Sequence, residues 1–247
     1  MRIVLIVFLF VSINSKLMAI DIDASLGWAD YQRYGFAVNG VVEEKVVSVG
    51  SKVKVGDVLA KLDAQPFNYL LQQYQSSVNQ FSPAIVDAKL ELDHAQELYE
   101  RTVLSEVELQ KIDGVHKAVI SRQNIEKAKL RLARWNLKRS VLKSGSDAYV
   151  LSSNVLPGMI ISDENKSTVF IELVSATKAS AIAWLSVKQK SQLIAGDIVK
   201  VIVDGQSIPA NIESIAMQAS DTGKYKILVD FYYNQKVEPG KSVKVSL

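Results

Sequence analysis

The chain has 247 residues and a formal net charge of +3, too close to balance to argue for a nucleic-acid partner. It has no cysteine and two histidines. That excludes disulfides, thiolate metal sites, a cysteine nucleophile and a lipoprotein anchor, and leaves little for a histidine metal site. The composition, 48% hydrophobic and 22% charged, is that of a globular protein with room for two or three small domains.

The first 19 residues have the layout of a secretory signal peptide. Met1-Arg2 is a short positive start, residues 3–13 are an apolar run, and Asn14 to Ala19 is a polar stretch ending in a small residue. An eleven-residue apolar core is short for a bilayer of about 30 Å, so export with cleavage after Ala19 is expected. Leu17, three residues before that cut, is not the usual small residue and keeps an uncleaved anchor as an alternative.

Residues 20–35 read as a linker leading into a strand. Residues 36–63 follow as short β-branched runs with glycines at turn spacing: Gly40-Val-Val, Gly50-Ser-Lys-Val-Lys-Val, then Gly56-Asp57-Val-Leu-Ala-Lys-Leu. This is half of a small flattened β-barrel. Residues 143–166 supply strands again, with Pro157-Gly158 as a type II turn. The two β segments flank a helical stretch and bury their apolar faces most simply against each other.

The helical stretch, residues 64–142, reads as an antiparallel hairpin. On its first arm the apolar residues are Leu71, Tyr74, Val78, Phe81, Ile85, Ala88, Leu92, Ala95 and Tyr99. The steps alternate three and four, a 3.5-residue repeat that a helix keeps on one side by supercoiling around a partner. Pro83 removes a helical hydrogen bond, so a kink or break is expected near Gln80–Pro83. The return arm is assigned the stripe Ala118, Ser121, Ile125, Ala128, Leu132, Trp135 and Leu142, with Lys111 and Gly114 weakening the pairing just past the turn. At about 1.5 Å per residue the hairpin would be about 55–60 Å long.

Residues 167–247 read as all-β, with strands at 169–174, 181–187, 197–203, 208–215, 224–233 and 242–247. A short helix is expected at 187–194. Six strands with turns every 8–12 residues suggest a small barrel or sandwich.

The order of these parts resembles the membrane fusion proteins, or periplasmic adaptors, of tripartite bacterial export systems (HlyD-like). Gly40 through Asp63 looks like the family's first lipoyl half-motif. Ser144-Gly-Ser-Asp-Ala148 with Pro157-Gly158-Met-Ile-Ile looks like the second, although the family usually has Pro at Gly145 and Gly at Ala148. Leu193-Ile-Ala-Gly196-Asp with Val237-Glu-Pro-Gly240-Lys resembles the adaptor barrel. The resemblance implies a mixed α/β, elongated, multidomain chain: a lipoyl-like β domain with an inserted coiled-coil hairpin, then a small β-barrel. It implies Gly40, Gly50, Gly56 and Gly158 as lipoyl turn glycines. The family's membrane-proximal domain, which normally follows the barrel, is expected to be absent.

Functionally, the resemblance implies an adaptor without catalysis or cofactor, in the periplasm and associated with the inner membrane. Its partners would be an inner-membrane transporter, of resistance-nodulation-division type ahead of ABC type, and a TolC-like outer-membrane channel. It would be a homo-oligomer, a hexamer by analogy. The family's Arg–Leu–Ser docking motif falls, by spacing, on His94, Leu98 and Ser105, with His94 in place of the arginine and Arg101 nearby, supplying charge from another face. The plainer reading of the same residues is that Leu98 ends the packed arm and that Ser105 caps the next helix in a capping box with Glu108. The two readings are compatible.

Other chemistry finds little support. A biotin or lipoyl carrier needs an exposed lysine in the turn where the hairpin is inserted, whereas Lys61 lies in a strand. No Gly-x-Ser-x-Gly or P-loop occurs. Met159 and Met217 are isolated, so there is no methionine cluster for a metal. A secreted, self-associating structural protein remains the alternative from another class.

Overall fold

The computed structural model describes residues 21–165 and 167–247; the leader expected at 1–19 lies outside them. The chain forms two compact units, residues 30–176 and a second made of the segments before 30 and after 176.

In the first unit two four-stranded sheets form the lipoyl-like domain. One has the order β2 (Gln32–Tyr34), β9 (Ile171–Ser175), β7 (Ala148–Ser153), β4 (Lys52–Val53). The other has the order β6 (Val141–Lys143), β5 (Val58–Leu62), β3 (Gly40–Lys45), β8 (Ile160–Ile161). Leu59, Leu62, Val42, Val150, Ile161, Ile171 and Leu173 fill the core between them, each at most 1% exposed, so strand alternation has placed one face of every β-branched run inside. Gly50, Gly56 and Gly158 have φ of +85°, +88° and +81°, the left-handed region that a type II turn needs at its third residue. Gly40 differs: a Cβ there would lie 3.1 Å from Leu62 Cδ1, so it serves close packing rather than a turn.

Gly145 also has a local reason. Its N–H donates to the Tyr34 hydroxyl at 3.0 Å, and a Cβ would lie 2.9 Å from that oxygen. Proline, with no N–H, could not make this bond.

The helices enter between β5 and β6. Helix α1 (Gln65–Asn79) has no charged residue and carries Pro66 in its first turn. Phe67, on that turn, is buried in the lipoyl core, and Leu137 of α3 packs on the same cluster, so the hairpin root is welded into the domain. Helix α2 runs Phe81–Glu100 and α3 runs Glu106–Arg139, the latter about 50 Å long at 1.5 Å per residue. The break between α1 and α2 is at Gln80. Pro83 stands in the first turn of α2, where a missing N–H is tolerated.

On α1 and α2 the residues Leu71, Tyr74, Val78, Phe81, Ile85, Ala88, Leu92 and Ala95 are buried or half-buried, whereas Tyr99 is exposed. The return arm differs from expectation. Ile125, Leu132 and Trp135 are 57%, 59% and 44% exposed, and Ala118, Ser121 and Ala128 are exposed too. The packed side is instead Leu109, Ile112, His116, Val119, Gln123, Glu126, Leu130, Ala133 and Leu137, all half-buried or buried, again in steps of three and four. Lys111 and Gly114 are exposed and off this line, and Leu142 belongs to β6. His116, Gln123 and Glu126 hid the packed stripe by being polar. The apolar stripe lies about two residues, or roughly 200°, around the helix, so α3 carries a second apolar face opposite the seam.

The second unit is a closed six-stranded barrel, in the order β1 (Asp21–Trp28), β10 (Lys178–Leu185), β13 (Tyr225–Tyr232), β12 (Gln206–Ile215), β11 (Ile198–Val203), β14 (Ser242–Ser246). Its interior is Leu26, Leu185, Val201, Ile212, Ile227, Val229 and Val245, with Ala179, Ala181 and Ala183 along the inner face of β10. Two expectations change here. Residues 21–28 are a barrel strand rather than a linker, and residues 171–175, expected in the barrel, pair with β7 and β2 in the lipoyl sheet. The strand count is right because the two strands exchange. The short helix, α4, is limited to Val187–Lys190.

Candidate functional site at the hairpin tip

The tip is the loop of residues 101–105 between α2 and α3. Helix α2 ends in a Schellman arrangement: the Thr102 N–H donates to the Tyr99 carbonyl at 2.8 Å and the Val103 N–H to the Leu98 carbonyl at 2.9 Å. Such an end requires one left-handed residue, usually glycine. Here it is Thr102, at φ +60°, a β-branched residue in a conformation that costs it energy. Its hydroxyl donates to the Arg101 carbonyl at 2.7 Å.

Helix α3 starts with a full capping box. Ser105 Oγ accepts from the Glu108 N–H at 3.3 Å, and Glu108 Oε2 accepts from the Ser105 N–H at 3.2 Å and the Ser105 hydroxyl at 2.7 Å. The Ser105 hydroxyl and then its N–H hold the Glu108 carboxyl below its ordinary value of 4.5 against the opposing effect of desolvation, and the Lys111 charge adds last. The loop is therefore pinned at both ends by backbone hydrogen bonds, and what it displays is fixed.

It displays apolar groups between charged ones, since Glu100, Arg101 and Glu106 are exposed beside them. Val103 and Val107 are 71% and 77% exposed; Leu98 and Leu104 are half-buried. His94 and Arg101 are exposed. Spaced four and three from Leu98, they share its side of α2. Arg101 is the residue that caps the C-terminus of α2, at φ −83° and ψ 5°. Ser105 is exposed, but its side chain is engaged in the cap. Below the loop, Leu104 with Glu91, Glu108, Lys111, Ile112 and Val115 lines an open groove of about 320 Å³. Val103, Val107 and this groove were not singled out from sequence, because valines outside the heptad register carry no periodic signal.

Among the described residues no group of three or more His, Asp or Glu is placed to hold a metal ion. No helix there is long and apolar enough to cross a membrane.

No family model and no curated protein matches the chain. Solved structures do. A membrane fusion protein, Spr0693, from Streptococcus pneumoniae R6 is similar at a TM-score of 0.68 and 18% identity, over 92% of this chain and 97% of that one. A MacA–MexA chimera carrying the Pseudomonas aeruginosa MexA α-hairpin domain gives 0.62 and 18%, over 92% and 79%. A protein described as a putative efflux transporter from Bacteroides eggerthii gives 0.60 and 17%, over 93% and 68%. At these identities the likeness is one of fold, and it spans both the hairpin-bearing unit and the barrel.

Proposed function

We propose that this chain is a non-enzymatic periplasmic adaptor that bridges an inner-membrane transporter and an outer-membrane channel. The observation that carries the reading is a long helical hairpin rooted by Phe67 and Leu137 in the core of a lipoyl-like domain, in a chain whose fold is shared along its length with a membrane fusion protein. A hairpin with a pinned loop that exposes Val103 and Val107 among Glu100, Arg101 and Glu106 is built to reach a surface and fit it. In this reading Leu98, Val103 and Val107 supply the apolar contact, and His94 and Arg101 supply polar contacts beside Leu98.

The second apolar faces support self-association. Ile125, Leu132 and Trp135 of α3, and Val86 and Leu90 of α2 (65% and 70% exposed), point away from the seam. In a ring, the back of one α3 would meet the back of a neighbouring α2, and many weak tip contacts would add by multivalency. Six copies and a resistance-nodulation-division transporter are the finer form of the proposal; an ABC-type exporter is the alternative transporter.

The chain has no native cysteine, so a Val103→Cys variant can be cross-linked in its host. Trapping an outer-membrane channel is expected. A probe at Val103 that captures nothing, while one at Trp135 captures a second copy, would point to self-association without a channel.

A further inference from the structure

One end of the barrel carries apolar side chains with no cover among the described residues. The strand registers bring to this end the close of β10, β12 and β14 and the start of β1, β11 and β13: Leu185 pairs with Tyr225, Ile215 with Ile227 and Asp21 with Ser246. Two loops cap it, residues 186–197 and 216–224. Val187 and Ile194 on the first are 65% and 70% exposed, Met217 on the second is 94% exposed, and Trp184 at the rim is 46% exposed. These positions are held. Ser186 caps α4 in a second capping box. Asp197 Oδ2 accepts from the Ile194 N–H at 2.9 Å. Lys190 donates to the Met217 carbonyl at 3.3 Å and lies 3.8 Å from the centre of the Tyr225 ring, tying the two loops together.

We infer that this barrel end rests on a phospholipid bilayer, with Val187, Ile194 and Met217 inserted among the headgroups. The inference deepens the membrane-associated part of the reading above. Apolar residues projecting from separate loops, with Trp184 at the rim and Lys188, Lys190 and Lys224 beside them, fit a surface that is apolar a few ångströms down and polar above. Tryptophan and the long lysine stems suit such a boundary. Lys226, paired with Trp184 in the register, makes four lysines against Asp21, Asp197 and Asp221, a small positive excess, so the apolar residues carry most of the attraction on neutral and anionic lipid alike. The sequence favours a bilayer over a protein partner. With the leader kept as the uncleaved anchor rather than removed as a signal, the apolar run of residues 3–13 is followed by seven residues, 14–20, before Asp21, at this same end. Seven residues reach at most about 25 Å, so a run in the membrane delivers this end to the membrane surface.

The full chain with Met217→Cys, labelled with the polarity-sensitive fluorophore NBD, is mixed with phosphatidylcholine vesicles and with vesicles that also contain phosphatidylglycerol. Met217 is almost fully exposed, so the label should leave the fold intact. In both vesicle types the emission should move to the blue, and lipid-borne spin labels should quench it several-fold more than a label at Val103→Cys. Adding Val187→Ser and Ile194→Ser should remove most of that difference. An aqueous emission at 217 while the chain sediments with vesicles, or equal quenching at 217 and 103, would overturn the inference and leave this end to a protein partner. Neither result depends on channel capture at the tip, so the two readings fail separately.

Discussion

The Val103 N–H donates to the Leu98 carbonyl at 2.9 Å, across the point where α2 has already ended. This bond closes the hairpin tip, and it forms only because Thr102 adopts φ +60°. For an L-residue that conformation costs about 1–2 kcal/mol, whereas glycine adopts it freely but loses more entropy on folding, about 0.5–1 kcal/mol. Thr102→Gly should therefore stabilise the protein slightly, by up to about 1 kcal/mol, read from the urea midpoint at unchanged slope. A loss of stability would mean that the threonine hydroxyl bond to Arg101 outweighs the strain.

The capping box should be acid-sensitive. Glu108 is held below 4.5 by its hydrogen bonds to Ser105, so its folded pKa lies under its unfolded one. Its contribution is fully present above the unfolded value and is lost as pH falls through the folded value. Amide exchange at the start of α3 should accelerate in that acid range, and Glu108→Gln should flatten the pH dependence. Ser105→Ala should cost about 0.5–2 kcal/mol. If exchange in the Glu108→Gln protein follows pH as the parent does, another group is responsible.

The two stripes of α3 can be told apart by truncation. Leu130 is 6% exposed and Leu132 is 59% exposed. Leu130→Ala and Leu92→Ala should each cost about 2–5 kcal/mol, and Leu132→Ala under about 0.5 kcal/mol in the isolated chain. Equal costs at 130 and 132 would place the seam elsewhere. Ile85, half-buried, should fall at or below the lower end of the range.

At the tip, Leu98→Asp should abolish export while circular dichroism and the melting temperature stay close to those of the parent, since Leu98 is only half-buried. Export at the parental level by the folded variant would remove Leu98 from the docking surface.

Much of the fold could be read from the chain because its signals are local. The 3-4 alternation on α1 and α2 gives the first arm, Pro83 marks the break, and Gly50, Gly56 and Gly158 mark turns by the backbone they require. What could not be read was set by long-range pairing. Nothing local says that residues 21–28 pair with β10 and β14, or that residues 171–175 return to β7, because both segments alternate as any strand does. The α3 register failed for a different reason: two stripes compete, and the buried one carries His116, Gln123 and Glu126. Glu126 is tolerable there because its carboxylate pairs with Lys129 at 2.8 Å. At the tip, the Ser105–Glu108 box was legible from spacing, whereas the left-handed Thr102 was not, since threonine is rare in that conformation.

The most direct test of the adaptor reading is a gentle membrane pull-down of the tagged chain from its native host, with partners identified by mass spectrometry. Recovery of an inner-membrane transporter together with an outer-membrane channel is predicted, and the transporter's identity would decide between the resistance-nodulation-division and ABC types. Recovery of the chain with itself alone would contradict the bridge and leave a self-associating structural protein.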